Sequence, residues 1–313
     1  MEIKLDDIVA AEHPTVVLHN GEMLRPSVIR ARQAVFVTPG IVTILFLLAI
    51  PCISLFAVAF MTRGQFGDIE FNFTTRNIER LLGFGYFGWS ADNMLILWRS
   101  IVVAFVTTAL CVALSYPLAF FLASRPAKTR MLWLTVLLIP FWTNLVIRTY
   151  AWLLVFDGDM PFARLMSYLG LAEPGTSLYP SQFAVYVGMV SVFLPFVALP
   201  LYTAAEKLDW SIVEAAVDLY SSRWRVFRHA ILPQTMPGLS VGITLTFVPA
   251  MGMFVVPDML GGARYMLIGN LIQQQFGSSR DWPFGAALSL VLMILTLGAL
   301  VAVGSSEKKG RRI

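Results

Sequence analysis

Cysteine and histidine are scarce: two of the first and three of the second in 313 residues. Cys52 and Cys111 both fall inside apolar runs, and His13, His19 and His229 are scattered, so neither a disulfide framework nor a cysteine-based metal site organises this chain. Charge is scarce as well. Asp, Glu, Lys and Arg make up 13% of the residues, against 57% hydrophobic ones. Mean hydropathy is +0.72, whereas a soluble domain has an apolar share of roughly 45–50%. The composition therefore predicts an all-α integral membrane protein.

Two further absences narrow the function. No segment of the form G-x-x-x-x-G-K-[ST] occurs, so nothing here is expected to cradle ATP phosphates, and ATP hydrolysis would belong to another chain. Paired acids, a metal cluster and a nucleophile with a base are also missing, which argues against a membrane enzyme. The net charge of +4 suggests no nucleic-acid partner, because the basic residues gather at the ends of apolar runs, where membrane topology accounts for them.

Six apolar runs are long enough to cross a bilayer, for which about 20 residues suffice: 35–61, 100–123, 131–156, 183–205, 238–256 and 284–304. They define a core at 35–304, with a polar extension at 1–34 that does not read as a signal peptide and a short basic tail at 305–313. Fifteen of the 23 Lys and Arg residues fall in the extension, the second loop (Arg125, Lys128, Arg130), the fourth loop (Lys207, Arg223, Arg225, Arg228) and the tail. By the positive-inside rule that face is cytoplasmic, and with it both termini. The odd loops are then external. Residues 75–82 before Gly83, and 160–169 before Gly170, each read as a short helix ended by glycine, fit either for lying on lipid headgroups or for docking a soluble protein.

A polar island, 206–237, separates two long apolar runs. Ser211 and Glu214 have capping-box spacing, and Ile212, Val213, Ala216, Val217 and Tyr220 fall on one apolar side of the helix that follows. A turn and a second, basic helix ending at Leu232 and Pro233 complete the expected unit. Its pattern resembles the EAA loop with which ABC importer permeases dock on their ATPase. Glu214, Ala215, Ala216, Leu232 and Pro233 fall on motif positions, with Asp218 on the same helix. Tyr220 stands where the family has glycine and Ala230 where it has isoleucine.

Inside the apolar runs, polar groups are few, and each is a functional candidate because a charge at membrane depth costs several kcal/mol, on the order of 3, unless it faces protein or water. The third run carries PFWTNLVIRTYAW, residues 140–152. One turn apart, Asn144 and Arg148 should share a face turned from lipid, with Arg148 paired to an acid of a neighbouring helix or subunit. Trp142 and Tyr150 offer aromatic faces to an ammonium group, although a membrane-belt or packing role fits them equally. In the fifth run Pro249 cannot donate to the Leu245 carbonyl, so a bend or break is expected there. Phe254 follows, and Asp258 adds a carboxylate at the expected external end. These seven residues, Trp142, Asn144, Tyr150, Leu245, Pro249, Phe254 and Asp258, make up the candidate cargo path.

Taken with residues 194–209, VPAMGMF (248–254), LGGARYMLIGN (260–270) and RDWPFGAA (280–287), these segments resemble spermidine/putrescine ABC importer permeases, specifically the first permease of the pair, over roughly residues 35–304. The resemblance implies a type I importer permease fold in the bacterial inner membrane, alternating access, a second and different permease, an ATPase dimer holding ATP and Mg, a periplasmic substrate-binding protein and polyamine cargo. The chain itself is expected to bind no cofactor. Opine or metal cargo remains open within that class. An ion-coupled secondary transporter is the alternative outside it, disfavoured because no carboxylate lies deep in a run.

Overall fold

A computed structural model describes residues 26–65, 67–85, 88–219 and 222–310. Tyr220 and the turn expected there lie outside the described residues, as do residues 1–25 of the extension and 311–313 of the tail. Contacts divide the chain into a first unit, residues 1–57, and a second, residues 58–313.

The first unit carries most of α1, Pro26–Ala59. Helix therefore begins within the segment expected to be a polar extension. Pro26 is compatible with that start, because a first turn needs no N–H from it and its φ is already helical.

In the second unit two small antiparallel hairpins interrupt the helices. Thr62–Arg63 (β1) pairs with Ile69–Glu70 (β2), Thr62 opposite Glu70. After α2, Arg76–Leu81, Phe84–Gly85 (β3) pairs with Gly88–Trp89 (β4). Gly83, at φ +98°, ends α2 with a backbone open chiefly to glycine. The remaining elements are α3 Asp92–Ala123, α4 Ala127–Trp142, α5 Leu145–Val155, α6 Pro161–Tyr168, α7 Gln182–Glu206, α8 Trp210–Leu219 and α9 Arg223–Val226. A π-helical turn, Phe227–Ile231, leads into α10 Leu232–Gly252, followed by α11 Val255–Gly261, a 3₁₀ turn, α12 Ile268–Phe276 and α13 Trp282–Gly310.

Among the described residues five helices are long and apolar enough to cross a membrane, and six spans result if α4 and α5 count as one bent by 95°. The third span is thus not the continuous helix its apolar run suggests. Proline at 140 removes one helical donor, and Thr143 takes extended φ and ψ of −78° and 147°. Asn144 then caps α5, its side chain accepting from the Val146 amide at 2.8 Å.

α3, α7 and α10 form the centre, their buried side chains including Val103, Cys111, Met189, Val197 and Met251. Small residues let α7 and α10 close up. A Cβ on Gly238 would lie 2.4 Å from the Pro200 carbonyl oxygen, and one on Gly242 3.0 Å from Val197 Cα. Close backbone approach of this kind substitutes for the hydrophobic drive that lipid does not supply between helices. A second cluster, with Leu81, Ile268, Leu271, Phe284 and Leu288, fastens α2 to α12 and α13.

Candidate translocation path and coupling helix

The polar island folds into α8, α9 and the π-helical turn around its own small core of Leu208, Val213, Ala216, Val226 and Ala230. Three expectations change here. The cap of α8 is Asp209, whose carboxylate accepts from the Ser211 amide at 3.0 Å and the Ser211 hydroxyl at 2.7 Å, so Ser211 is a donor inside the helix and not the capping residue. The hydroxyl bond, followed by the amide bond, holds the Asp209 carboxyl below its ordinary value. The apolar side divides: Val213 and Ala216 turn inward, while Ile212 and Val217 are exposed. Leu232 and Pro233 do not end a helix, because the chain runs helically from Arg223 to Gly252. A π-helical turn just before Pro233 accommodates the missing proline donor within that run.

Glu214, Ala215 and Asp218 lie exposed on α8, and Pro233 is exposed on α10. Ala216 belongs to the chain's own core, and Leu232 packs beside Ala119, Leu122, Leu201 and Tyr202. Gln234 locks the unit to the fifth span, its Oε1 accepting from the Asp209 amide at 2.9 Å and its amide donating to the Ala230 carbonyl at 3.0 Å. An ion pair of 2.6 Å between Arg130 and Glu206 joins the first turn of α4 to the end of α7, immediately before α8.

At the elbow of the third span the expected shared face of Asn144 and Arg148 is replaced by a different arrangement. Arg148 donates through Nη1 to the Pro140 carbonyl at 3.1 Å, which also accepts from the Thr143 hydroxyl at 2.7 Å. The guanidinium thus reaches back across the bend and sits on the C-terminal end of α4, where a cation complements the helix dipole. No acid pairs with Arg148 among the described residues, and its Nε is buried without a partner. Trp142 is 81% exposed and Tyr150 58% exposed on either side of this elbow. Trp152, by contrast, donates to the Ser191 hydroxyl at 3.0 Å and ties α5 to α7.

The fifth span breaks later than Pro249 would suggest. α10 continues through it to Gly252, and Met253 takes an extended φ and ψ of −64° and 129°. The Phe254 carbonyl at the break finds its partner on α12. Asn270 donates to the Phe254 carbonyl at 2.9 Å and accepts from the Leu267 amide at 3.3 Å. Ser100 of α3 accepts from the Ile268 amide at 2.8 Å. Gly269 lets α12 sit against the break, since a Cβ there would lie 2.5 Å from the Gly252 carbonyl oxygen. Irregular backbone at membrane depth is tolerable when protein supplies its hydrogen bonds.

Leu245 lines a cavity of about 300 Å³ with Leu138, Phe141, Pro195, Phe196, Leu199 and Pro200. Phe141 and Phe196 meet edge to face there, 5.2 Å between centroids. Trp142 follows Phe141 directly, so the structure brings the elbow and Leu245 to one place. Phe254 and Asp258 are exposed at the break and in the first turn of α11, which packs on α5. Among the described residues no hydrogen bond or ring contact joins Trp142, Tyr150, Phe254 and Asp258 to each other. Sequence reasoning missed Asn270, Ser100, Arg80 and Asp281. An asparagine three residues after Leu267, in capping position, was the available signal for the first of these.

Residues 115–305, more than half of the chain, match the family described as binding-protein-dependent transport system inner membrane component. The spermidine/putrescine transport system permease protein PotB of Escherichia coli K12 is 39% identical over 254 residues, covering 81% of this chain and 90% of PotB. PotB of Haemophilus influenzae is 38% identical, covering 80% and 86%. Among solved structures, a chain of a bacterial ABC transporter involved in the import of the acidic polysaccharide alginate superposes with a TM-score of 0.66 at 15% identity, over 92% of this chain and 98% of that one. A multi-pass helical bundle, a broken-helix interior and this kinship lead to one conclusion: the chain belongs to the family of inner-membrane components of binding-protein-dependent transport systems, as a permease subunit of the ABC importer type.

Proposed function

We propose that this permease imports polyamines of the spermidine and putrescine class, paired with a second, different permease and driven by a separate ATPase dimer that holds ATP and Mg. The observation that carries the cargo is the 39% identity to PotB over nine-tenths of that protein's length. Geometry supports it. A polyamine alternates ammonium groups with methylene stems, and the elbow of the third span sets an exposed tryptophan beside a wholly apolar cavity. An aromatic face holds an ammonium group with about 0.5–2 kcal/mol, and the cavity suits a stem. Asp258 supplies the carboxylate near the outer mouth, and Tyr150, Phe254, Pro249 and Asn144 shape the broken spans between.

In this reading both termini and residues 206–237 face the cytoplasm, and the ATPase meets the exposed edge of α8 at Glu214, Ala215 and Asp218, with Ala216 and Leu232 setting the angle of that edge from behind and Pro233 bordering it. Alternating access follows if motion of α8 is passed through Gln234 to the fifth span and through the Arg130–Glu206 pair to the third. The test is co-purification of the ATPase with a Glu214→Arg variant of the full complex, together with spermidine uptake. Loss of both with normal membrane insertion is the expected result. Retained ATPase and retained uptake would exclude docking through this edge.

A further inference from the structure

We propose that the polar cavity between the first hairpin and α2 seats an acidic side chain of the soluble binding protein, with Arg63 as its recognition residue. The inference rests on the importer reading and on the external placement of residues 62–91.

The cavity measures about 310 Å³ and is lined by Thr62 and Arg63 of β1, by Arg76, Asn77 and Arg80 of α2 and by Asp281 at the start of α13, with Thr74 at its edge. Three arginines thus line it with one carboxylate, that of Asp281, among the described residues. That carboxylate is committed to the fold. Asp281 is 4% exposed, its Oδ2 lies 2.8 Å from Arg80 Nη1, and its Oδ1 accepts from the Phe284 amide. Arg80 also lies over the Phe284 ring, 4.1 Å from its centroid. Asn77 is equally committed, donating to the Ala59 and Met61 carbonyls at 2.9 Å each. The cavity is therefore a rigid, donor-rich, positively charged recess whose rim residue, Arg63, is exposed.

A polyamine carries the wrong sign for such a recess, so the cavity is no part of the cargo path. An anion fits, and arginine is suited to bidentate capture of a carboxylate. Two sources could bring one: a protein side chain or a lipid phosphate. Charge distribution favours the protein. Residues 62–81 carry Arg63, Arg76 and Arg80 but also Asp68, Glu70 and Glu79, so the segment as a whole is neutral and gains little from a uniformly anionic bilayer. Interspersed charges of this kind match another protein's surface, where local complementarity sets orientation and on-rate. Phe71, the residue after β2, is 86% exposed, and exposed aromatics, like arginines, are enriched at protein interfaces.

The experiment uses the complete transporter in nanodiscs made once with neutral and once with anionic lipid, and titrates it with fluorescent, spermidine-loaded binding protein at two salt concentrations. For Arg63→Glu at least tenfold weaker binding is expected in both lipids, with a shallower salt dependence, while Arg63→Lys should stay within about threefold of wild type because one charge is kept. Equal affinity of Arg63→Glu and wild type overturns the proposal. Weakening confined to anionic discs overturns it too, and marks a headgroup site instead. Failure of the wild-type complex to bind the loaded protein at all overturns the importer reading on which the proposal stands, and that outcome is distinguishable because it does not depend on position 63.

Discussion

Arg80 Nη1 lies 2.8 Å from Asp281 Oδ2, a contact that spans 201 residues of sequence and fixes α2 against the first turn of the last span. Asp281 is buried while the Arg80 side chain is 31% exposed, so removing the arginine should cost more than exposed pairs do but less than a fully buried one. Arg80→Ala is expected to destabilise the subunit by about 1–3 kcal/mol, chiefly because the Asp281 charge is left without its partner. Thermal unfolding in detergent measures it. The double variant Arg80→Met/Asp281→Asn should lose less than Arg80→Ala alone, since no buried charge then remains and the acceptor for the Phe284 amide is kept.

The break in the fifth span should depend on Asn270. Asn270→Leu keeps the branching of the side chain but removes the donor to the Phe254 carbonyl and the acceptor for the Leu267 amide, at about 1–3 kcal/mol for the buried groups left unpaired. Reduced complex yield and slower initial uptake are expected. Gly269→Ala should act on the same joint by steric means, as its Cβ would meet the Gly252 carbonyl at 2.5 Å. Uptake at the wild-type rate in both variants would show that the joint tolerates remodelling.

How much of this was legible beforehand differs between elements for physical reasons. Apolar runs announce spans because lipid demands a fixed length of hydrocarbon, and the short helices ending at Gly83 and Gly170 announced themselves because a positive φ nearly requires glycine. The elbow of the third span was hidden because hydropathy is continuous through it. Its signal is local and polar, Pro140 followed by Thr143 and the helix-capping Asn144, and was read as a helical face instead. At residues 209–214 two capping patterns overlap, and Asp209 prevails over Ser211 as acceptor. Arg80 and Asp281 could not be paired from sequence at all, since nothing local to either names the other.

The α8 cap should titrate. Ser211 bonds hold the folded Asp209 carboxyl below its ordinary value, so the cap contributes stability that is fully present above that value and is lost as the pH falls through the depressed folded one. The protection of amides 209–214 against hydrogen exchange, relative to the intrinsic rate at each pH, should therefore fall on acidification. Asp209→Asn, which keeps an acceptor without a charge, should abolish that pH dependence. An unchanged acid response in the asparagine variant would assign it to another group.

Topology is open to direct labelling. In a variant with Cys52 and Cys111 replaced by serine and alanine, Lys308→Cys should react in intact cells with membrane-permeant thiol reagents and be spared by impermeant ones. Labelling by an impermeant reagent would place the tail outside and invert every loop assignment made above.

The proposed cargo recognition at the elbow is tested by exchanges that separate aromatic from structural roles of Trp142. Trp142→Phe keeps a weaker π-face and should raise the half-saturating polyamine concentration a few-fold at most, whereas Trp142→Ala should raise it about three- to tenfold, the equivalent of about 0.7–1.4 kcal/mol. Asp258→Asn should slow uptake with assembly intact. Near-normal rates in well-assembled Trp142→Ala and Asp258→Asn complexes would move the path to the partner permease.

The central claim is that this chain is a permease subunit of an ATP-driven polyamine importer. Its most direct test is the initial rate of labelled spermidine and putrescine uptake into vesicles holding the purified complex, with ATP inside and the loaded binding protein outside. Uptake that requires both ATP and the binding protein, and disappears in Glu214→Arg, is the predicted result. Polyamine uptake by the chain alone under an ion gradient, or none by a complex that assembles and hydrolyses ATP, would contradict it.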